Sequence, residues 1–521
     1  MRTTSTGRKL IWFLCVLIYI LVLLVIGRYY ARIDLTQGKK FSVSDYTKEL
    51  LADLQEPLRI TYYVSSELTK LYPQTHSIKD FLLAFASVNP LISLDTVDPV
   101  SEGLEDSLSR LGVFGQQIQS AKGNTTEYTT VYSAIMIEYL ELVTVIPFIL
   151  SDEMLEFELT SRLMHLVEGI SRPVFIMAGN GMDVEKDYSY VIPWLQAAGF
   201  VCNVISPQEF SLMQATEYKH EYKKTPLVVF GTSKFTTEQA QFVREYVESG
   251  GSALIMSSAI TVDIYNGWEA VPAEKDAVLS LLDEWGIDIR NDILNDISCF
   301  NITLYSDEST PRYETMNYPM WIASLPQYTS SNPITNKLTG IHFFWASPID
   351  VLAEQAETLV YTSPEAWCTE PDFSHSPVYV TNPFIIPKTA SQTGKSGLQF
   401  SLAVKKQIED GGTVIFVGDQ YFASTILMDY TGSFSNLNFL VNSLLSLSGN
   451  EELLDIRNRV ALPVNLHKKD FSQLIEDKNK ILFFTCFMFP VLPGIIAFLV
   501  LFIRKIKSIA AAPAQKEMEK N

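Results

Sequence analysis

The chain has 521 residues, 47% of them hydrophobic, with a net charge of −19. At one unit per ~150 residues it is long enough for about three folded units. Acidity of that size argues against a nucleic-acid binder and against a protein that clings to anionic lipid. Cys15, Cys202, Cys299, Cys368 and Cys486 are scattered and form no CxxC pair, which argues against a disulfide-built scaffold.

In chain order, residues 1–9 form a short basic tail, and 10–27 contain the uncharged run "LIWFLCVLIYILVLLVI", long enough to suggest a membrane-crossing helix. No small-x-small cleavage site follows it, so the segment reads as an uncleaved anchor. Residues 28–57 read as an elbow and a capped helix: Ser42 is the expected N-cap, Asp45 follows three residues on, and Leu50, Leu51 and Leu54 share a stripe. Glu56-Pro57 ends that helix.

Residues 58–170 read as a small α/β unit, with strands at 58–64, 91–97, 131–138 and 142–148, helices at 77–87 and 152–168, and a polar loop at 115–130. Residues 171–290 open a second unit. Its short apolar runs "PVFIMAG", "FVCNVIS", "PLVVFG" and "SALIMSS" alternate with amphipathic stretches, the pattern of a parallel sheet covered on both faces. Residues 291–411 read as an insertion. Residues 412–460, with "GTVIFVGD" and a Leu-rich helix at 436–447, complete the sheet.

A linker at 461–480 leads to a second apolar run at 481–503, which carries Pro490, Pro493 and Gly494, and to a basic tail at 504–521. The two tails hold eight Lys and Arg, which places both termini in the cytoplasm and the body outside it. The fold class expected is therefore α/β: two membrane-spanning helices flanking an extracytoplasmic region built from a small α/β unit and a flavodoxin-like parallel-sheet unit with a long insertion. The expected location is the inner membrane, crossed twice, and Pro490, Pro493 and Gly494 predict a kink in the second span.

Ligands on open α/β sheets sit at the carboxyl ends of the strands. Those ends place Asn180, Asp183, Thr232, Ser257, Ser258 and Asp419 as a candidate polar pocket. The alternative is that tight strand-to-helix turns need Gly, Ser and Asp for backbone reasons alone. No GxSxG elbow, HExxH or paired histidine spacing is present, so no catalytic, metal or cofactor-binding set is expected. The Gly-Lys-Ser at 394–396 has Thr389 where a phosphate-binding loop needs its first glycine, and reads as a loop.

The segments "RIDLTQGKKFSVSDYTKELL", "EPLRITYYVSSEL", "FELTSRL", "FTTEQAQFVREYVESGGSALIM", "LLDEWGIDIRNDILND" and "NFLVNSLLSLSGNEELLDIRNR", taken in order, resemble the ABC-transporter auxiliary family of gliding-motility type, the GldG-like proteins. The resemblance implies a non-ATPase, membrane-anchored subunit that works with a multi-span ABC permease and a separate cytoplasmic ABC ATPase. Such a subunit binds a ligand or protein partner or braces the permease, which the span around Pro490, Pro493 and Gly494 would then contact, and is not an enzyme. The turn "GNGMDVE" has Asn180 where relatives tend to show a histidine, so no metal or acid–base role carries over to it. The reading from another class is a membrane-anchored, extracytoplasmic hydrolase or transferase acting on envelope material.

Overall fold

The computed structural model describes residues 42–459 apart from 123–124, 180, 215–223, 233, 274–275, 307–311 and 354. The first helix among the described residues, α1 (Asp45–Ala52), is capped by Ser44 rather than Ser42: the Ser44 hydroxyl accepts the Thr47 N–H, and Leu50 and Leu51 turn inward. A four-stranded sheet follows, in the order β2-β1-β5-β6. Here β1 (Leu58–Val64) and β2 (Ile92–Val97) are parallel, whereas β5 (Ser133–Tyr139) and β6 (Leu142–Ile146) run antiparallel. Helix α2 (Gln74–Ala86) buries Ile78, Phe81, Leu82 and Phe85, which recur at the three-to-four-residue spacing of one helix face.

Residues 115–130 are not a loop. They form a hairpin, β3 (Gln116–Lys122) and β4 (Thr125–Val131), paired from Gln116↔Val131 to Lys122↔Thr125. A two-stranded ribbon has no sheet neighbour to cover it, so its strands lack the apolar run that marks a buried strand.

Helix α3 (Leu155–Glu168) leads into the main sheet. Its parallel core is β8-β7-β9-β10-β22, formed by β7 (Pro173–Ala178), β8 (Val201–Val204), β9 (Leu227–Phe230), β10 (Ala253–Met256) and β22 (Thr413–Val417). Numbered along the chain this is the order 2-1-3-4-5 of doubly wound, flavodoxin-like sheets. Strands β9 and β10 are buried at every position, as expected where helices cover both faces. A short hairpin, β11 (Ile260–Asp263) and β12 (Glu269–Pro272), leaves the tip of β10.

Beyond it, β13 (Ile287–Ile289), β14 (Ile293–Asn295), β15 (Cys299–Ser306), β16 (Arg312–Ser324), β17 (Ile341–Phe344), β18 (Ile349–Val351), β19 (Ala356–Tyr361), β20 (Trp367–Thr369) and β21 (Ser401–Gln407) fill residues 287–407. This region is not merely hung on the sheet. Strand β21 pairs antiparallel with β22, and β18, β13 and β19 extend the same sheet. Trp268, Tyr318, Trp321, Phe344 and Trp345 form its aromatic core, with Trp321 stacked on Phe344 at 3.9 Å between ring centroids.

The two-pass architecture and the inner-membrane location expected from the sequence are corrected. Among the described residues no helix is long and apolar enough to cross a membrane. The longest described helix, α3, has 14 residues, about 21 Å at a rise of ~1.5 Å per residue, against a hydrocarbon core of ~30 Å. The segments 10–27 and 481–503, including Pro490, Pro493 and Gly494, lie outside the described residues.

Candidate functional site

Of the six strand-tip residues expected from the sequence, Thr232, Ser257, Ser258 and Asp419 are turned inward. Thr232 and Ser257 meet at 2.7 Å between hydroxyl oxygens, and the Thr232 hydroxyl donates to Asp276 Oδ2 at 2.6 Å. Asp276 also caps α5 (Ala277–Glu284), where its Oδ1 accepts the N–H groups of Val278 and Leu279. The Ser258 hydroxyl accepts the Gln420 N–H at 2.8 Å. Asp419 is wholly buried, and its two carboxyl oxygens accept the N–H groups of Phe344 (2.8 Å) and Tyr421 (2.7 Å). Burial pushes this carboxyl up to about 8.

Asp183 is exposed and caps α4 (Val184–Asp187) through bonds from the Glu185 and Lys186 N–H groups. Asn180 lies outside the described residues. Thr232, Ser257, Ser258 and Asp419 thus hold turns together, in keeping with the rule that buried polar groups find partners.

The crevice that a 2-1-3-4-5 sheet offers between its first and third strands is filled. A Cβ on Gly179, just after β7, would stand 2.8 Å from the Gly231 carbonyl and 2.7 Å from the Phe235 ring, so the turns after β7 and β9 touch through backbone and a buried aromatic.

The open space lies further out. A cleft of about 500 Å³ is walled by the turn after β7 (Gly181, Met182, Lys186 to Tyr188), the β11 strand and turn (Thr261 to Tyr265), and the segment after β22 (Gln420, Tyr421, Ser424 to Ile426, Asp429, Tyr430). That size lies in the ordinary range of small-ligand sites. Three carboxylates, Asp187, Asp263 and Asp429, face one lysine, Lys186, so the lining is acidic.

Each carboxylate uses one oxygen for the fold. Asp187 Oδ2 accepts the Asp183 N–H, Asp263 Oδ1 accepts the Tyr265 and Asn266 N–H groups, and Asp429 Oδ1 accepts the Tyr190 hydroxyl at 2.8 Å. The walls are cross-tied by Tyr188 Oη to the Gln420 carbonyl (2.7 Å), Tyr421 Oη to the Val262 carbonyl (3.0 Å), and the Ser189 N–H to Thr425 Oγ1 (3.0 Å). Burial holds the Tyr188 phenol well above its usual range and pushes that of Tyr421 up to about 12, so both remain donors at neutral pH.

Tyr430 lies edge-on to Trp321 (4.8 Å) and Tyr421 edge-on to Trp345 (5.6 Å), so the cleft's inner wall rests on the aromatic core. Tyr265, at the hairpin tip, is 90% exposed.

Sequence reasoning missed Asp187, Asp263, Tyr265, Asp429 and Tyr430. One signal was present: Asn266-Gly267 between "ITVD" and "EAVP" is a strong hairpin signature and would have placed Asp263 and Tyr265 on a projecting turn.

Among the described residues no group of three or more His, Cys, Asp or Glu is placed to hold a metal ion. Burial pushes the thiols of Cys202, Cys299 and Cys368 up to about 11, which suppresses the nucleophilic thiolate. The Gly-Lys-Ser follows a 3-10 turn (Ala390–Thr393), and Lys395 is paired with Glu370 at 2.7 Å.

The family model described as an ABC-type uncharacterized transport system matches residues 171–443, and a domain of unknown function matches residues 37–138. A protein of Borreliella burgdorferi, described as uncharacterized, is 22% identical over 497 residues, covering 92% of this chain and 94% of its own. Among solved structures, a cytoplasmic protein of Salmonella typhimurium shows 13% identity and a TM-score of 0.29, covering 53% of this chain and 98% of its own. A ThuA-like protein of Bacteroides uniformis shows 12% identity and a TM-score of 0.30, covering 53% of this chain and 92% of its own. Scores that low carry nothing toward function. The first of these matches spans more than half of the chain and takes in the parallel sheet, the aromatic core and all three walls of the cleft: the protein belongs to the ABC-type transport auxiliary family.

Proposed function

We propose that the protein is a non-ATPase accessory component of an ABC-type transport system, acting beside a multi-span permease and a separate ATPase. Its own contribution is binding rather than catalysis, and the order of the six segments that resemble the gliding-motility type favours that branch of the family. The observation that carries the reading is the pre-tied cleft of about 500 Å³, lined by Asp187, Asp263 and Asp429 against Lys186 and by the side chains of Tyr265 and Tyr430. Carboxylates attract an organic cation, and tyrosine faces add a cation–π attraction of about 0.5–2 kcal/mol. The overall charge of −19 steers such a group inward. The chemistry recognised is an ammonium or guanidinium group on a small organic ligand.

Two measurements test this. Affinity purification of the tagged full chain from its native cells, followed by mass spectrometry, should recover an ATPase and a permease in fixed ratio; recovery of the chain alone counts against the accessory role. Calorimetry with spermidine as the probe and maltose as the neutral control then tests the cleft. Saturable spermidine binding should weaken at least tenfold in the D263N/D429N double variant, which keeps both side-chain acceptors. The E102Q/D106N variant removes two charges elsewhere and should leave binding as it was. Equal weakening in both variants would reduce the effect to general acidity, and binding of maltose in place of spermidine would overturn the cation while keeping the cleft.

A further inference from the structure

Both ends of the described chain converge on one side chain. Glu156, in the first turn of α3, accepts the Ser44 N–H through Oε1 at 2.5 Å and pairs through Oε2 with Arg459 Nη1 at 2.6 Å. Arg459 in turn donates from Nη2 to the Ser42 carbonyl at 2.7 Å, a contact between residues 417 apart in sequence. The three groups close a triangle. Its corners come from "FSVSDYTKELL", "FELTSRL" and "NEELLDIRNR", segments that sequence order alone does not bring together.

The surroundings favour a single defined geometry. The side chains of Glu156 and Arg459 are 12% and 23% exposed, so solvent screens the pair only in part. One turn further along α3, Thr160 Oγ1 meets Thr47 Oγ1 of α1 at 2.8 Å. The Arg457 guanidinium lies over the Phe157 ring at 5.1 Å and is held by Asn442 Oδ1 and Asn438 Oδ1, so α6 (Ser435–Leu447) and α7 (Glu451–Asn458) bear on the same helix. The C-terminal turn of α1 is tied to the turn that leads into β2, where the Leu51 carbonyl accepts Asn89 Nδ2 at 2.7 Å.

We infer that Glu156 is a two-ended latch, so that release of the C-terminal end of α7 also releases the N-terminal entry to α1, and through α1 is felt at the turn that leads into β2. The coupling follows from electrostatics. Withdrawing Arg459 leaves a mostly buried carboxylate without its counter-charge, which raises the energy of the closed arrangement. Glu156 then gains by turning to water, and the Ser44 N–H loses its acceptor. Conversely, an α1 entry that unwinds takes with it the Ser42 carbonyl that helps to hold Arg459.

Hydrogen exchange on the full chain tests the coupling, with the amides of Ser44 to Lys48 reporting one end and those of Asp455 to Arg459 the other. In R459M, exchange at Ser44 to Lys48 should rise at least tenfold while the amides of β9 and β10 stay at the wild-type rate, which separates latch opening from global unfolding. E156Q, which keeps an acceptor for Ser44 but loses the charge, should speed exchange at both ends. The double variant should be no worse than the more affected single one, because one device has been broken twice. If R459M leaves Ser44 to Lys48 within twofold of wild type, or E156Q alters one end only, the two ends are held independently and the latch is refuted.

Discussion

Two polar neighbourhoods stand at the same edge of the main sheet, and they do opposite work. In the inner one, Thr232, Ser257, Asp276 and Asp419 are buried and face each other or backbone N–H groups. In the outer one, Asp187, Asp263 and Asp429 spend one oxygen each on the fold and line open space beside Tyr265 and Tyr430. Residue type does not separate them, since both are built from Asp and hydroxyl groups. What separates them is the use each side chain is put to: Thr232, Ser257 and Asp419, within two residues of a strand end, and Asp276, at a helix cap, are consumed by buried turns, whereas the outer carboxylates keep one oxygen toward open space.

Substitutions at the two neighbourhoods should therefore fail in different ways. The largest effect is expected for Asp419→Ala, which strands the buried N–H groups of Phe344 and Tyr421 and should lower unfolding stability by about 3 kcal/mol. Chemical denaturation measures that loss, and spermidine affinity per folded molecule should stay unchanged. An Asp419→Ala protein that kept its stability and lost the ligand would merge the two neighbourhoods.

The next effect is in pH. Because Asp419 is raised to about 8 when folded, against ~4 for an unfolded aspartate, the folded state holds its proton over a range where the unfolded state has released it. The stability that this group contributes is fully present below about pH 4 and is lost as pH rises through about 8. Denaturation midpoints followed from pH 5 to 9 should show the decline, and the Asp419→Ala variant should lack that part of it. A profile that is the same in both proteins would show Asp419 to be ionised throughout.

Thr232→Val keeps the shape and removes the hydroxyl between Asp276 and Ser257, so it should cost about 1–2 kcal/mol in the same assay and leave binding alone. The smallest stability effect, within about 0.5 kcal/mol, belongs to Tyr265→Ala at the exposed hairpin tip. There the comparison reverses: spermidine affinity should fall by roughly threefold to tenfold, the worth of one cation–π contact. Unchanged affinity would remove the Tyr265 ring from the site.

Much of the main sheet was legible because a strand covered on both faces must be apolar throughout. "PLVVFG" and "SALIMSS" declare themselves, and β9 and β10 lie within them. The β3–β4 hairpin was not legible, because "QQIQSAK" and "TTEYTTV" are mostly polar and carry no apolar run. Ser42 was chosen as the cap because it stands three residues before an acid, but the bond is made by Ser44 to Thr47. The cleft escaped for a different reason. Asp187, Asp263 and Asp429 come from loops far apart in sequence, and only the 2-1-3-4-5 order with β22 beside β10 brings those loops to one edge. The same folding hides Asp419, whose place at a strand tip is right for a ligand and whose side chain points the other way, into the backbone of Phe344.

The meeting of Ser42 with Arg459 has one more consequence. A body whose ends touch can be rejoined there and cut elsewhere with little loss, which is why such folds tolerate circular permutation and insertion into other chains. A permutant with a short linker from Arg459 to Ser42 and new ends opened between β3 and β4 should keep the main sheet and its cleft whole. For an accessory component this makes the body a cassette: a module that can be grafted between any two segments able to lie side by side, with its binding site carried along unaltered.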